Sequence, residues 1–179
     1  MSDIICSGFG GQGVLTAGLI LAKTAMDAGK EVTWIPSYGS EMRGGTANCN
    51  VKIDDRPIAS PFIKDIDLLI ALNTPSVDKF EPMIRPGGTM IVNTSLVSEN
   101  RGFRGDLKVV LVPAGEIADE LKNPRGLNLV MLAAGLAAVG MFEREVFAAG
   151  VENFFAEKGK NNPLNAGCVE RGWQAGVGA

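Results

Sequence analysis

Apolar residues change their period several times along the chain, and each change marks an element. Ile4, Ile5 and Cys6 form a short apolar run that passes straight into glycines at 8, 10, 11 and 13. The stretch 14–28 follows with helical spacing, and Glu31–Ser37 is expected as a second strand. From Thr46 to Asp54, Ala47, Cys49, Val51 and Ile53 alternate with Asn48, Asn50, Lys52 and Asp54, which predicts a strand with one wet face. Asp54, Asp55, Arg56 and Pro57 are turn formers, so residues 57–59 are expected to return as a short antiparallel partner. Residues 66–72 are nearly all aliphatic, as in a strand covered on both faces. Thr74 as cap and Pro75 at the first helical position open a helix over 76–84, which residues 85–88 stop. Strands are predicted at 89–93 and 107–112, separated by a polar surface excursion over 94–106. Helices are predicted at 113–121, Leu127–Val139, 143–158 and after Pro163, with a break at Asn123 to Gly126.

Alternating strands and helices predict an α/β fold, a three-layer α/β/α sandwich on a mostly parallel, Rossmann-like sheet that a hairpin makes mixed. Its crossovers should be right-handed. At 179 residues the chain is expected to form a single domain, 1–179, without repeats or linkers, and to bury its core without disulfides or metals. Ligands of open sheets lie beyond the carboxyl ends of the strands. The turn at 8–13, the loop at 38–45 and the turn at 73–76 all follow strands, so they should share that edge.

Composition removes much chemistry. The chain contains no histidine, hence neither the commonest general base nor the commonest metal ligand. Cys6, Cys49 and Cys168 show no paired spacing, fall short of the four ligands an iron–sulfur cluster normally needs, and fit buried packing. A formal charge of −3 offers no broad cationic field for nucleic acid. Arg43, Arg85, Arg101 and Arg104 are dispersed and read as solvated loop charge. The apolar stretch 127–142 is shorter than the roughly 20 residues that span a bilayer. The opening Met1 to Cys6 carries no basic leader, and a reduced, cytoplasmic protein is expected.

The sharpest local signal is Gly8, Gly10 and Gly13 in the spacing G-x-G-x-x-G between a strand and a helix. Small residues there allow a tight turn and close approach of an anion to the first-turn N–H groups. A dinucleotide would also require an acid ending the second strand. That strand ends in Pro36 and Ser37, Glu31 lies at the wrong end, and Glu41 follows in a loop beside Arg43. The motif leaves open which anion binds, or whether the glycines serve the turn alone.

Three blocks together resemble a known family: Gly8 to Gly18, Pro36 to Cys49, and Ala71 to Phe80. They are similar to the gamma subunit of the 2-oxoacid:ferredoxin oxidoreductases, over most of the chain. The stretch Pro-Ser-Tyr-Gly-x-Glu-Met-Arg-Gly-Gly is more similar to 2-oxoglutarate and branched-chain 2-oxoisovalerate types than to pyruvate or indolepyruvate types. The resemblance implies alpha, beta and in some cases delta partner subunits that hold thiamine diphosphate, magnesium and 4Fe–4S clusters and pass electrons to ferredoxin. This chain would bind no cofactor alone, be inert alone, and could form a homodimer when isolated. Coenzyme A would be the substrate it meets. Gly8, Gly10, Gly11, Gln12 and Gly13 would line the phosphates with backbone donors and the Gln12 amide, and Arg43, Gly44 and Gly45 would add a cation and close backbone, with Glu41 orienting Arg43. Two other readings stand beside it: a stand-alone NAD- or flavin-dependent oxidoreductase, and a purely structural assembly subunit.

Overall fold

The computed structural model describes residues 1–37 and 46–178. Its elements are β1 (Ser2–Phe9), α1 (Val14–Asp27), β2 (Glu31–Ser37), β3 (Thr46–Asp54), β4 (Ile66–Ala71), α2 (Thr74–Phe80), β5 (Ile84–Asn93), β6 (Lys108–Val112), α3 (Ala114–Glu120), α4 (Leu127–Val139), α5 (Arg144–Ala156) and α6 (Leu164–Val177). The strands form one six-stranded sheet in the order β2-β3-β1-β4-β5-β6. β1, β4, β5 and β6 are parallel neighbours, whereas β3 runs antiparallel to both β1 and β2. The α/β class and the mixed sheet agree with the sequence reading.

The source of the mixing differs. Residues 57–59 form no strand, because β3 has no free edge to offer: β1 occupies one side and β2 the other. The segment instead crosses the wet face of β3, where Lys52 Nζ donates to the Phe62 carbonyl at 3.0 Å and meets the Asp3 carboxylate at 3.4 Å. The face expected to be wet is thereby covered: Asn48 and Lys52 are as buried as Ile53 on the opposite face, where Cys49 and Val51 lie fully under the helical layer.

One face of the sheet carries α1, α4, α5 and α6 over Ile4, Cys6, Leu68, Ile70 and Ile91. α4 is apolar nearly all round, as suits a helix buried on every side. Its backbone touches α6, where a side-chain carbon on Gly172 or Gly176 would lie 2.3 or 2.2 Å from the Val130 or Ala134 carbonyl oxygen. The other face is covered by α2, a short 3-10 turn at Glu81–Met83 and the 94–107 segment, over Ile5, Leu69, Met90 and Val92.

Two boundaries move on this face. The cap of α2 is Asn73, not Thr74: its Oδ1 accepts from Ser76 N at 2.9 Å, while Thr74 Oγ1 donates to Leu96 O. β5 begins at Ile84, with residues 85–88 carried as an irregularity between the Ile66–Ile84 and Leu68–Thr89 pairings. The excursion is also less solvated than its composition implies. Glu81 is 7% exposed, and its carboxylate accepts from Arg101 Nη2 and Arg104 N at 2.8 Å each. Arg104 Nη1 donates to the Glu81 and Ile84 carbonyls, and Arg85 pairs with Asp67. These arginines fasten loops; they are not free surface charge.

Candidate functional site

β1 must become α1 within four residues, 10–13, and the glycines make that possible. Gly11 has φ 92° and Gly13 φ 73°, the left-handed region where a β-carbon is costly. Gln12 closes the entrance of the turn: its N–H donates to Phe9 O at 3.2 Å and its Oε1 accepts from Phe9 N at 2.6 Å. Gly8 lies buried beneath, where a β-carbon would stand 2.7 Å from Gln12 Oε1 and 2.9 Å from both Leu72 Cβ and Val14 Cγ2. Gly10 and Gly11 are exposed.

α1 starts at Val14 with Gly13 as its cap residue and no capping side chain. Its first-turn N–H groups therefore keep their capacity for an external acceptor. The exit of the turn is held from the far side of the sequence. Asn128, in the first turn of α4, donates through Nδ2 to the Gly13 carbonyl at 3.0 Å and is 4% exposed. The start of α4 has no side-chain cap either. The start of α4, which continues from a 3-10 turn at Pro124–Gly126, is thus tied to the uncapped N-terminus of α1, and that terminus favours negative charge. Sequence reasoning missed Asn128, although it is the one polar side chain in Leu127–Val139.

The 73–76 turn joins the same edge, as expected, but its polar groups face one another. Ser7 Oγ donates to Ser76 Oγ at 2.8 Å, Ser76 Oγ to Asn73 Oδ1 at 2.7 Å, and Asn93 Nδ2 to Leu72 O at 3.2 Å. All four side chains are buried, so they build the rim and offer nothing to solvent. Glu41, Arg43, Gly44 and Gly45 lie outside the described residues. Of the strands that flank them, β3 begins beside the turn, with Thr46 opposite Phe9, and β2 ends one strand further out, with Ser37 opposite Asn48.

Among the described residues, the rest of the molecule supplies no competing reactive centre. A cavity of about 500 Å³ opens at the opposite, amino edge of the sheet, but its Lys30 and Arg85 are spent on Asp55 and Asp67. Cys6 and Cys49 face each other across β1 and β3, fully buried, with Cys49 Sγ donating to Val14 O at 3.6 Å. Contact with Cys49, together with burial, pushes the Cys6 thiol well up, away from reactive thiolate. Among the described residues no cluster of acidic or cysteine side chains could hold a metal ion, and no helix is long and apolar enough to cross a membrane.

Comparison with known proteins adds to this geometry. A profile of the family described as pyruvate ferredoxin/flavodoxin oxidoreductase matches residues 3–175. The ketoisovalerate oxidoreductase subunit VorA of Methanothermobacter marburgensis is 36% identical over 167 residues, which is 93% of this chain and 34% of that protein. The chain thus spans about a third of the length of the ketoisovalerate subunits it matches. The 2-oxoglutarate synthase subunit KorC of Methanocaldococcus jannaschii is 39% identical over 134 residues, covering 74% of this chain and 72% of its own. A keto/oxoacid ferredoxin oxidoreductase gamma subunit from Geobacter sulfurreducens superposes over 100% of both chains, with a TM-score of 0.81 and 26% identity. The 2-oxoglutarate:ferredoxin oxidoreductase of Magnetococcus marinus, solved with 2-oxoglutarate, coenzyme A and succinyl-CoA bound, gives a TM-score of 0.86 over 99% of this chain and 31% of that one. At 21% identity that likeness is one of fold.

Proposed function

We propose, since the chain belongs to the pyruvate ferredoxin/flavodoxin oxidoreductase family, that it acts as the gamma subunit of a 2-oxoacid:ferredoxin oxidoreductase of 2-oxoglutarate or branched-chain 2-oxoisovalerate type. In this reading residues 1–179 work as one gamma domain in the cytoplasm, joined to alpha, beta and in some assemblies delta subunits. Its glycine turn receives the phosphates of coenzyme A while the 2-oxoacid is oxidatively decarboxylated to acyl-CoA. The observation that carries the proposal is the start of α1, which no side chain caps, at the carboxyl edge behind a turn whose Gly10 and Gly11 are exposed. A fold neighbour bound to coenzyme A supports the choice of anion.

Within this site the roles follow from what each group has left to offer. The N–H groups of the first turn of α1 donate to phosphate oxygens. Gln12 Oε1 is spent on Phe9 N, so its Nε2 is the remaining side-chain donor. Arg43 supplies the cation, because a guanidinium matches phosphate with paired hydrogen bonds, and Gly44 and Gly45 let backbone approach. Glu41 orients Arg43. Thiamine diphosphate and magnesium do the decarboxylation on partner subunits, and 4Fe–4S clusters there carry the electrons to ferredoxin. An iron–sulfur cluster finds no ligand set on this chain: Cys6 and Cys49 face each other in the core and Cys168 is buried apart from them.

A dinucleotide reading fits less well than it does from sequence alone. β3 intervenes between β1 and β2, so the end of β2 stands a further strand spacing, about 4.8 Å, from the glycine turn. A purely structural role draws on the packing that Gly8 and Gly13 make possible. The discriminating experiment is Arg43→Ala in the assembled complex. Loss of one charged hydrogen bond of about 1.5–3 kcal/mol should raise the coenzyme A requirement roughly ten- to a hundredfold. Carbon dioxide release without coenzyme A should continue at the parent rate. Equal loss of both would mean damaged assembly, and no loss of either would leave the structural role.

A further inference from the structure

We propose that Asn128 is a positioning residue for the coenzyme A phosphates, acting through the Gly13 peptide; this rests on the coenzyme A reading above. Asn128 is the single polar side chain among the 13 residues of α4, and it is buried. A buried amide without a partner would be costly, and it has found its partner 115 residues away, at the Gly13 carbonyl. Packing alone would be served by another leucine or alanine, as at every neighbouring position of the helix.

Nor does the Gly13 carbonyl need Asn128 for its own satisfaction. It already accepts Ala17 N at 2.9 Å as the first hydrogen bond of α1. The second bond therefore controls direction. The peptide joining Gly13 to Val14 is planar and trans, so its C=O and N–H point opposite ways. With the carbonyl held by both Ala17 N and Asn128 Nδ2, Val14 N–H, the first donor of α1, is fixed in the opposite direction, toward the glycine turn.

That restraint matters because little else orients the turn. Residues 10–13 include three glycines, and only one side chain, Gln12, ties the entrance. Asn128 ties the exit. The two fit each other closely, since a β-carbon on Gly13 would lie 2.6 Å from Asn128 Nδ2. Glycine at 13 and asparagine at 128 thus form a coupled pair that holds a left-handed backbone and aims its donor. The same contact ties the first turn of α4 to the glycine turn, so removing the amide loosens that junction.

The test uses the assembled oxidoreductase complex and titrates coenzyme A. Asn128→Leu matches the apolar character of α4 and removes the donor. It should raise KM for coenzyme A about five- to tenfold while kcat at saturation stays within about twofold, the signature of lost binding without lost chemistry. Should the leucine variant fail to assemble, Asn128→Ala removes the donor without adding volume and carries the same expectation. Gln12→Glu, which charges the turn but keeps the Phe9 contact, reports separately on whether coenzyme A binds here at all. If Gln12→Glu raises KM and the Asn128 variants do not, the positioning role is overturned and the coenzyme A reading stands. If none of them moves KM, the site itself is elsewhere and both fall. A drop in kcat and in coenzyme-independent carbon dioxide release at unchanged KM would reduce Asn128 to a helix tie and overturn the proposal.

Discussion

Gln12→Glu is the most informative single perturbation of the turn, because it changes charge with almost no change of shape. The contact that closes the turn uses Oε1, which accepts from Phe9 N at 2.6 Å. A carboxylate accepts the same bond at least as well. The atom replaced is Nε2, so a free donor becomes an anionic oxygen at the start of α1. Two unit charges roughly 6 Å apart in a water-like medium repel by about 0.7 kcal/mol. Coenzyme A brings several phosphate charges, and the lost donor adds about 0.5–1.5 kcal/mol. A net penalty of about 1–2 kcal/mol corresponds to a roughly 5- to 30-fold weaker use of coenzyme A. Stability should move the other way, because an acid beside a helix N-terminus contributes about 0.3–1 kcal/mol of stabilisation. Weaker binding therefore cannot be blamed on unfolding. The assay is KM for coenzyme A in the complex at low and high ionic strength, with thermal unfolding of the chain alongside. The gap between variant and parent should narrow as salt rises, since exposed charges are screened within about 10 Å at 0.1 M. An unchanged KM at low salt would refute anion binding at the turn.

The remaining predictions concern the frame that holds this edge. Glu81→Ala leaves Arg101 and Arg104 without the carboxylate that fastens the 94–107 segment to the second core, and should cost about 2–4 kcal/mol in chemical denaturation; a loss below about 1 kcal/mol would mean that the segment is held by packing alone. Burial raises the Asp3 carboxyl above the ordinary range, more than the adjacent Lys52 lowers it. Asp3 then holds its proton more tightly folded than unfolded, so it favours folding at low pH and loses that contribution as pH rises through its folded pKa. The stability of Asp3→Asn relative to the parent should accordingly climb as pH rises above the ordinary carboxylate range, and urea titrations showing a constant difference would refute the assignment.

Which parts of this structure were legible from sequence follows from the range of the interaction involved. Thr46–Asp54 was readable as a strand because its alternation is local, but its wet face was not borne out: Asn48 and Lys52 are buried, and Lys52 is held by Asp3 and the Phe62 carbonyl from other parts of the chain. The strand–turn–helix over residues 2–27 was readable for the same reason: glycine spacing and helix start are neighbours in sequence. The position of β3 between β1 and β2 was not readable, since nothing in 46–54 says which strands flank it. The expected return at 57–59 failed on that point alone. Asn73 displaced Thr74 as cap because the two candidates are adjacent and only the backbone decides between them. Arg101 and Arg104 looked solvated because their partner Glu81 lies about 20 residues away. Asn128 was the hardest, bonded across 115 residues, and yet it left a trace as one amide in an otherwise apolar helix.

The insertion of β3 also bears on what the edge can bind. With β2 adjacent to β1, the loop after β2 would lie one strand nearer the glycine turn, and β1 would have that strand's end for a neighbour. Here the neighbour is the start of β3, with Thr46 opposite Phe9, so the chain that leaves the 38–45 segment enters the sheet directly beside the turn. Three stretches distant in sequence, 10–13, 37 with 46, and 126–128, thereby reach one edge. In the turn and in the first residues of α4, the described side chains that touch it, Gln12 and Asn128, are neutral amides, and the remaining donors are backbone. Such donors do not titrate, so affinity there is set by direction and by the charge of the ligand, not by the protonation of the turn. On the coenzyme A reading proposed above, such a site would hold its anion with the same strength across the pH range in which the complex works.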